Sequence, residues 1–396
     1  MSQSTADQMR RWQGPAILSY GFRPFFLLGA IWASVAVVVW ILALSGNLTL
    51  SSEMDPVSWH AHAFLFGYTG AIIAGFLLTA VPNWTGRLPV IGWALAGLVG
   101  LWIAGRIGIL FSQALPYWVV IVGDLAFPIV LGLVILREIV AGKNWRNLII
   151  LLLLVVFTLA NLLFHIDVQN GYYAAQGYGP RLGLAAVLLM IGVIGGRIVP
   201  SFTRNWLVRE GHKQMPASPM QRLDKLVLLV SIPAFIMWVL WPDSPLTAAL
   251  LFLVGVGHTA RLGRWKGWFT RSEPLVVILH LAYLFLPLGA FAMTFAIVRP
   301  DILPASAAQH LWMAGALGGM TLAVMTRASL GHTGQPLHAG IGTSVIYLAI
   351  MASTIVRFIA GFWPEDMLYH MAGGLWFVAF AGFAMVYGPL LLRPRS

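Results

Sequence analysis

Two histidines stand two positions apart in the stretch SWHAHAFLFGYTG, residues 58–70, and no charged residue follows them until Arg87. Imidazole is a common ligand for haem iron, copper and zinc, so His60 and His62 are the first candidates for chemistry. At 3.6 residues per turn, the two rings of a His-x-His pair point about 200° apart on a helix. We therefore expect the pair to serve two sites on opposite faces of one helix rather than to chelate a single ion.

Cysteine is absent from the chain. Its absence excludes disulfides, thiolate metal sites, iron–sulfur clusters, covalent c-type haem attachment and a cysteine nucleophile. Any metal has to use histidine, methionine, tyrosine or carboxylate ligands. A histidine-rich site without thiolates favours haem iron or copper over thiolate-bound zinc.

The composition decides which solvent surrounds these histidines. Of the 396 residues, 59% are hydrophobic and only 9% are charged, which is typical of a polytopic membrane protein and of no soluble class. The formal net charge of +11 comes from basic residues in short loops between apolar runs. Membrane topology explains that distribution better than nucleic-acid binding does. We therefore expect the lipid bilayer as a partner and no nucleic acid.

Apolar runs long enough for membrane helices emerge when the chain is read in windows of about 19 residues. The predicted fold is all-α, a polytopic transmembrane bundle of about twelve helices. The runs are 24–45, 57–82, 88–111, 116–140, 146–166, 180–200, 224–242, 245–261, 274–298, 305–329, 338–361 and 367–391.

Basic residues predict the orientation of the bundle. If the N-terminus is cytoplasmic, most of the 24 Lys and Arg residues fall in inner segments, and the outer loops keep only Arg181 and Arg299. Every inner loop is short, which is the regime in which positive charge determines orientation. Both termini are therefore expected in the cytoplasm.

The longest hydrophilic segment, 201–223, is too short to form a soluble domain. We expect a single transmembrane domain over residues 1–396. It consists of two six-helix halves, 1–200 and 224–396, joined by this basic cytoplasmic loop.

Similar inner endings on every fourth helix suggest a repeat of four-helix units. The second, sixth and tenth runs end in TAVPNWTGR, GRIVPSFTRNW and AVMTRASLGHTG, with Pro82 and Pro200 at equivalent places. The alternative is that Pro, Thr and Arg simply favour the inner ends of membrane helices. If the repeat is real, these three helices line a common axis.

Polar side chains at membrane depth are costly and usually face a partner, a cavity or a cofactor. On this topology Arg106 and Asp124 lie toward the same outer side of neighbouring helices, where they can pair. Half of the ten histidines lie in the same outer slab: His60, His62, His165, His310 and His370. Each alone is explained as a polar cap at the interface, but five together indicate a cofactor site. His310 is the preferred haem ligand opposite the helix of His60 and His62.

Four long motifs closely resemble the NnrS family of bacterial inner-membrane proteins, in the same order and over nearly the whole chain. They read YGFRPFFLLGA, WHAHAFLFGYTGAIIAGFLLTAVPNWTGR, GGRIVPSFTRNWL and HLWMAGALGGMTLAVMTRASLGHTGQPL. The family's WHAH motif falls on 59–62, its helix-10 histidine on His310 and its GHTG motif on 331–334. Many relatives carry Glu-Met after the second histidine, where this chain departs from the family with Ala63 and Phe64.

This resemblance implies a haem protein of the bacterial inner (cytoplasmic) membrane, with haem b as cofactor and copper also reported in the family. The resemblance also implies that the protein is made by bacteria that encounter nitric oxide during denitrification or host attack. Nitric oxide or a related small ligand is then the expected partner, and the sequence leaves the electron donor open. The expected cofactor-binding residues are His60, His62, His310 and His370, with His165 as a further metal-ligand candidate.

Three functions stay open, and the sequence does not decide whether the chain is an enzyme. The first is nitric oxide response and tolerance, through binding or processing nitric oxide at a His-ligated haem near the periplasmic side. The second is a haem–copper-type redox enzyme, nitric oxide reductase-like or quinol-linked. Because the sixth and seventh helices carry no histidine, its copper would need His62, His165 or His370. The third is a haem or copper transporter or sensor.

Overall fold

The computed structural model describes residues 12–394 and is all-helical, with no strand in this part of the chain. Twelve long helices confirm the predicted fold class. They are α1 (Phe22–Leu44), α2 (Pro56–Thr85), α3 (Gly92–Leu110), α4 (Tyr117–Ala141), α5 (Leu148–Gln169), α6 (Tyr178–Arg209), α7 (Arg222–Leu240), α8 (Pro245–Arg264), α9 (Pro274–Val298), α10 (305–333), α11 (Ile341–Ile359) and α12 (Asp366–Leu392).

Eleven of these helices are long and apolar enough to cross a membrane, which indicates a multi-pass membrane protein. The exception is α10, which contains Gln309, His310 and Arg327. Many exposed side chains are large and apolar, as contact with lipid requires. On α4, for example, Val122 is 61% exposed and Leu133 is 60% exposed. The orientation with both termini in the cytoplasm stays a prediction.

Most helices end within a few residues of their predicted ends. The largest difference is at α6, which continues to Arg209 rather than ending at residue 200. The first part of the predicted loop 201–223 is therefore helical. Hydropathy detects the apolar stretch of a helix but not a polar extension of it, and both Arg204 and Arg209 lie in that extension.

Three helices, α2, α6 and α10, each contain a π-helical stretch. These stretches are Ala63–Tyr68, Ile191–Gly195 and Leu311–Gly318. π-Helical turns are rare and often occur at functional sites. The helices that share similar inner endings in the sequence therefore also share a local irregularity of the backbone.

Helices α2 and α10 match position by position. In each, a histidine, His62 or His310, directly precedes the π-helical stretch. Two glycines follow the histidine at the same spacing, and a further glycine with positive φ comes directly after the helix. Glycine is favoured at that last position because the left-handed conformation is strained for other residues. The corresponding glycines are Gly67, Gly70 and Gly86 after His62, and Gly315, Gly318 and Gly334 after His310.

Helix α6 carries the same glycine spacing but has Val187 in place of the histidine. The glycines concerned are Gly192, Gly195 and Gly211. When the helices are aligned by these glycines, the position on α2 that corresponds to Pro200 comes well before Pro82. The two prolines are therefore not equivalent, although the similar inner endings had predicted that they are. The repeat is supported by the glycines and the π-helical stretches instead.

Contacts between residues divide the chain into two compact units. Unit 1 comprises the chain up to Gly183, Ala328–Gln335 and the chain from Phe380; unit 2 comprises Leu184–Arg327 and Pro336–Ala379. The predicted halves, 1–200 and 224–396, divide the chain at a different place along the sequence. Their combination into one transmembrane domain stays a prediction.

Candidate metal centre

Asp124, on α4 in unit 1, is the centre of a buried polar cluster. Its Oδ1 accepts a hydrogen bond from Nη2 of Arg106 on α3. Its Oδ2 lies 2.7 Å from Nδ2 of Asn161 and 3.1 Å from Nε2 of both His62 and His165. All five side chains are buried. The cluster therefore joins the four consecutive helices α2 to α5.

Helix α5 supplies two of these side chains from one face. Asn161 and His165 are four positions apart, so both reach the same neighbour on α4. The far side of the His165 ring is held by Tyr117, whose hydroxyl lies 3.0 Å from Nδ1. Tyr117 is the first residue of α4, so this hydrogen bond joins α4 to α5.

Helix α2 presents His62 as the last residue before its π-helical stretch. The start of this helix is defined by Asp55, whose Oδ1 accepts hydrogen bonds from the backbone two and three positions further on, at 2.9 and 3.0 Å. Pro56 occupies the first helical position, where a missing N–H costs nothing. The seven residues from this cap to His62 therefore form a short α-helical segment of defined register.

Two tryptophans hold the π-helical stretch of α2 against its neighbours. The indole N–H of Trp32, on α1, donates to the carbonyl of Ala63 at 2.9 Å. The indole N–H of Trp102, on α3, donates to the carbonyl of Gly67 at 2.9 Å. Both carbonyls belong to the stretch that directly follows His62, so these bonds fix the direction in which the helix leaves the cluster.

Glycines make room for the ion pair between α3 and α4. A Cβ at Gly67 would lie 2.5 Å from Nη1 of Arg106 and 2.9 Å from Nε1 of Trp32. A Cβ at Gly105 would lie 2.8 Å from Oδ1 of Asp124. Real Cβ atoms do not approach other atoms so closely, so any other residue at these positions would displace the ion pair.

Hydrogen-bond partners determine the tautomer of each imidazole. Nε2 of His62 faces two acceptors, Oδ2 of Asp124 at 3.1 Å and Oδ1 of Asn161 at 2.9 Å, so it carries the proton. Its Nδ1 then holds the lone pair and has no hydrogen-bond partner among residues 12–394. Nε2 of His165 likewise donates to Asp124, and its Nδ1 accepts from the hydroxyl of Tyr117.

The charges within the cluster balance when Arg106 is protonated, Asp124 is ionised and both imidazoles are neutral. Such a buried ion pair is costly to break, because the remaining partner becomes an uncompensated charge; the loss is about 3–5 kcal/mol. A divalent cation bound beside Arg106 would add uncompensated positive charge. An anionic ligand on the metal would offset that charge.

Three ligand atoms in the cluster are close enough to hold one metal ion. Those of His62, Asp124 and His165 all lie within 4.8 Å of one another. Two imidazoles and one carboxylate suit copper, iron or zinc. A metal ion would bind the two Nε2 atoms once each imidazole carries its proton on Nδ1, while Arg106 would keep its hold on the second carboxylate oxygen and so orient the ligand. The donor set therefore fits a transition-metal ion.

The structure places His60 away from this cluster, against α1. Its ring stacks on Trp40 with centroids 4.4 Å apart and also contacts Phe64. His62 instead faces α4 and α5. The two histidines therefore contact different helices, as their spacing predicts.

His310 and His370 belong to unit 2, at the starts of α10 and α12. Nδ1 of His310 lies 2.6 Å from the carbonyl of Ser306, and Nδ1 of His370 lies 2.7 Å from the carbonyl of Asp366. Since a carbonyl only accepts, both Nδ1 atoms carry the proton and both lone pairs lie on Nε2. This is the tautomer in which a backbone-bonded histidine binds a metal through Nε2. The assignment of both residues as haem ligands stays a prediction.

Sequence reasoning found part of the cluster. It named His62 and His165 as metal-ligand candidates, and the expected pairing of Arg106 with Asp124 is present. It missed Asn161 and assigned no role to Tyr117. The spacing of Asn161 and His165, four positions apart in an apolar run, was the available signal for a shared polar face.

A comparison with protein families matches residues 16–395 to the family described as NnrS protein. The chain belongs to the NnrS family. The match confirms the resemblance that the four motifs indicated. The comparison with curated proteins gave no match.

In this NnrS protein, the position at which many relatives are expected to carry glutamate is Ala63, at the start of the π-helical stretch. A carboxylate is nevertheless present beside His62, and it comes from Asp124 on α4. The surroundings of His62 therefore contain a carboxylate even though residue 63 is alanine.

Proposed function

We propose that this NnrS protein acts in nitric oxide response and tolerance as a metal- and haem-containing protein of the bacterial inner membrane. One observation carries the proposal: the buried cluster of His62, Asp124 and His165, whose ligand atoms lie within 4.8 Å of one another. Family membership supports the link to nitric oxide. The cluster is the proposed metal centre, with copper as the first candidate ion.

Copper fits this donor set because imidazole is one of its preferred ligands and the chain offers no thiolate. When bound, the ion would supply an open coordination position for nitric oxide. The residues of the protein would hold the ion and orient its ligands. Asp124 and the two histidines would hold the ion, Arg106 and Asn161 would orient the carboxylate, and Tyr117 would orient His165.

Haem b is proposed at the histidines that lie outside this cluster. The hydrogen bonds of His310 and His370 to backbone carbonyls support the proposal, because they leave Nε2 as the nitrogen that binds iron. His60 is the third candidate, on the helix face opposite the metal centre. His310 is the preferred ligand among them.

Nitric oxide suits a site inside a membrane. It is small, uncharged and soluble in lipid, so it needs no polar entry path. The proposed partners are therefore nitric oxide or a related small ligand from the bilayer, and an electron donor for any reaction that consumes it.

Metal analysis tests the proposal directly. Protein purified in detergent is analysed by mass spectrometry for metals and by optical and EPR spectroscopy, before and after anaerobic addition of nitric oxide. We expect His62→Ala and His165→Ala to lose the metal, whereas His212→Ala, an exposed histidine after α6, retains it. Equal metal content in all four proteins would refute the metal centre, and colourless protein after haem feeding would refute the haem assignment.

A haem–copper-type redox enzyme is the second candidate. The Tyr117 hydroxyl, 3.0 Å from Nδ1 of His165, favours it, because a phenol next to a proposed metal centre is a group that could deliver a proton to a reaction there. This candidate predicts that reduced protein consumes nitric oxide continuously in an electrode assay. A protein that only binds nitric oxide would instead remove a stoichiometric amount of it and then stop.

A further inference from the structure

Arg327 lies near the end of α10, at the end of unit 2 that the basic residues predict to face the cytoplasm. The carbon atom of its guanidinium is 4.0 Å from the centroid of the Phe202 ring, on α6. The side chain of Arg327 is only partly exposed. At this distance the guanidinium lies over the face of the phenyl ring, and the contact stabilises its position.

No carboxylate pairs with this cation. In the described part of the chain, Arg327 makes no hydrogen bond and no ion pair. Glu273, the residue before α9, attracts it electrostatically, but the carboxylate of Glu273 is already bonded. Its Oε1 accepts from the backbone N–H groups of Leu275 and Ala339, both at 3.1 Å, and its Oε2 lies 2.8 Å from Nδ1 of His338. The N–H donors of Arg327 therefore remain available to a ligand.

The surroundings of Arg327 include a second cation. Arg209, the last residue of α6, repels it electrostatically. A partly buried charge without a hydrogen-bonded partner of opposite sign is unfavourable, and a like charge nearby increases that cost. A bound anion would remove both penalties.

The chemistry of the donor and its position in the membrane indicate which anion this is. A guanidinium offers N–H groups in a planar fork that matches two oxygens of one phosphate group. Tyr347, on α11, also interacts electrostatically with Arg327, so α11 borders the site. On its other faces α11 presents large apolar side chains to lipid, with Ile341 86% exposed and Leu348 70% exposed. Lipid headgroups supply phosphate at the ends of such helices.

We propose that Arg327, stacked on Phe202 and assisted by Arg209, binds the phosphate group of an anionic phospholipid at this end of unit 2. The guanidinium donates to two phosphate oxygens, and the acyl chains of the lipid lie along the exposed faces of α11. The site uses none of the residues of the proposed metal centre, so it holds or fails independently of the proposed function.

The first experiment identifies the ligand. Protein in detergent is titrated with phosphatidylglycerol or with phosphatidylcholine, whose headgroup carries no net charge, and bound lipid is counted by native mass spectrometry. We expect phosphatidylglycerol to bind at least about tenfold more tightly and to raise the Tm. Equal affinity for the two lipids would overturn the recognition of an anion. Inorganic phosphate alone should leave the Tm unchanged, and an equal rise with inorganic phosphate would overturn the lipid as the source of the phosphate group.

The second experiment locates the site. Arg327→Gln should bind phosphatidylglycerol at least about tenfold more weakly. Arg271→Gln is the matched control, because it removes the same charge from an exposed arginine shortly before α9, and it should bind like the unsubstituted protein. Equal affinity in these two variants would overturn the site.

A third variant tests the stacking without any change of charge. Phe202→Leu keeps an apolar side chain but removes the aromatic face beneath the guanidinium, and we expect binding about two- to fivefold weaker. Because this variant retains Arg327, it also tests the site if Arg327→Gln fails to fold. Unchanged affinity in Phe202→Leu would overturn the role of the stacked arginine.

Discussion

The rings of His62 and His165 lie with their centroids 5.2 Å apart, and both direct Nε2 at the same oxygen of Asp124. Two protons therefore occupy the space in which a metal ion would bind. A metal that binds to these nitrogens requires each imidazole to carry its proton on Nδ1 instead. Metal loading and a change of tautomer at both histidines are consequently coupled in this cluster.

The ion pair between Arg106 and Asp124 should control the stability of unit 1. Arg106→Leu leaves a buried carboxylate without its cation, and we expect a loss of about 3–5 kcal/mol. Thermal unfolding in detergent and the yield of membrane-inserted protein measure it. Normal yield together with an unchanged Tm would contradict the pairing.

A double variant separates the charge from the packing. Arg106→Leu combined with Asp124→Leu removes both charges, and replacement of a buried pair by apolar residues is often close to neutral. We expect it to recover most of the lost stability, and a double-mutant cycle measures the coupling. Additive losses in the cycle would indicate that the two side chains do not interact.

Gly67→Ala should disturb the cluster from the side of α2. The new Cβ would lie 2.5 Å from Nη1 of Arg106, and forced displacement of a packed side chain costs about 1–3 kcal/mol. Gly100→Ala on α3 is the control, because a Cβ there meets nothing within 4 Å. It should be neutral or stabilising by up to about 1 kcal/mol. A Tm for Gly67→Ala that matches the control would show that Arg106 does not need this space.

The twelve helices were predictable because each contains an apolar run bounded by a short segment with charged, polar, Gly or Pro residues, and hydropathy records the change between the two. The π-helical stretches were not predictable. A single extra residue within a helix leaves the apolar composition unchanged, so neither hydropathy nor spacing registers it.

The cluster was predictable only in part for a similar reason. His62, His165, Arg106 and Asp124 are conspicuous because ionisable groups are rare at membrane depth. Asn161 is uncharged, and its role depends on which helix faces α5. That information lies in tertiary packing. For the same reason, the sequence alone did not show that the carboxylate of Asp124 lies beside His62.

Tyr117→Phe should weaken metal binding while leaving the fold almost unchanged. The loss of one hydrogen bond costs about 0.5–1.5 kcal/mol of stability. Loss of a partner that orients a metal-ligand histidine typically lowers metal affinity about 10–100-fold. Competition with a chelator measures that affinity. Tyr172→Phe, in an exposed loop, should bind metal like the unsubstituted protein, and equal affinity in both variants would remove Tyr117 from the site.

His310→Ala tests the proposed haem site, which lies outside the metal cluster. His310 occupies the place in α10 that His62 occupies in α2, directly before a π-helical stretch with the same glycine spacing. We therefore expect its removal to abolish or convert the haem spectrum, while the protein stays in the membrane and retains its copper. His62→Ala should show the opposite pattern of loss if His62 binds only copper. Unchanged haem content in His310→Ala would exclude His310 as an essential haem ligand, and loss of both cofactors in either variant would indicate that the two sites depend on each other.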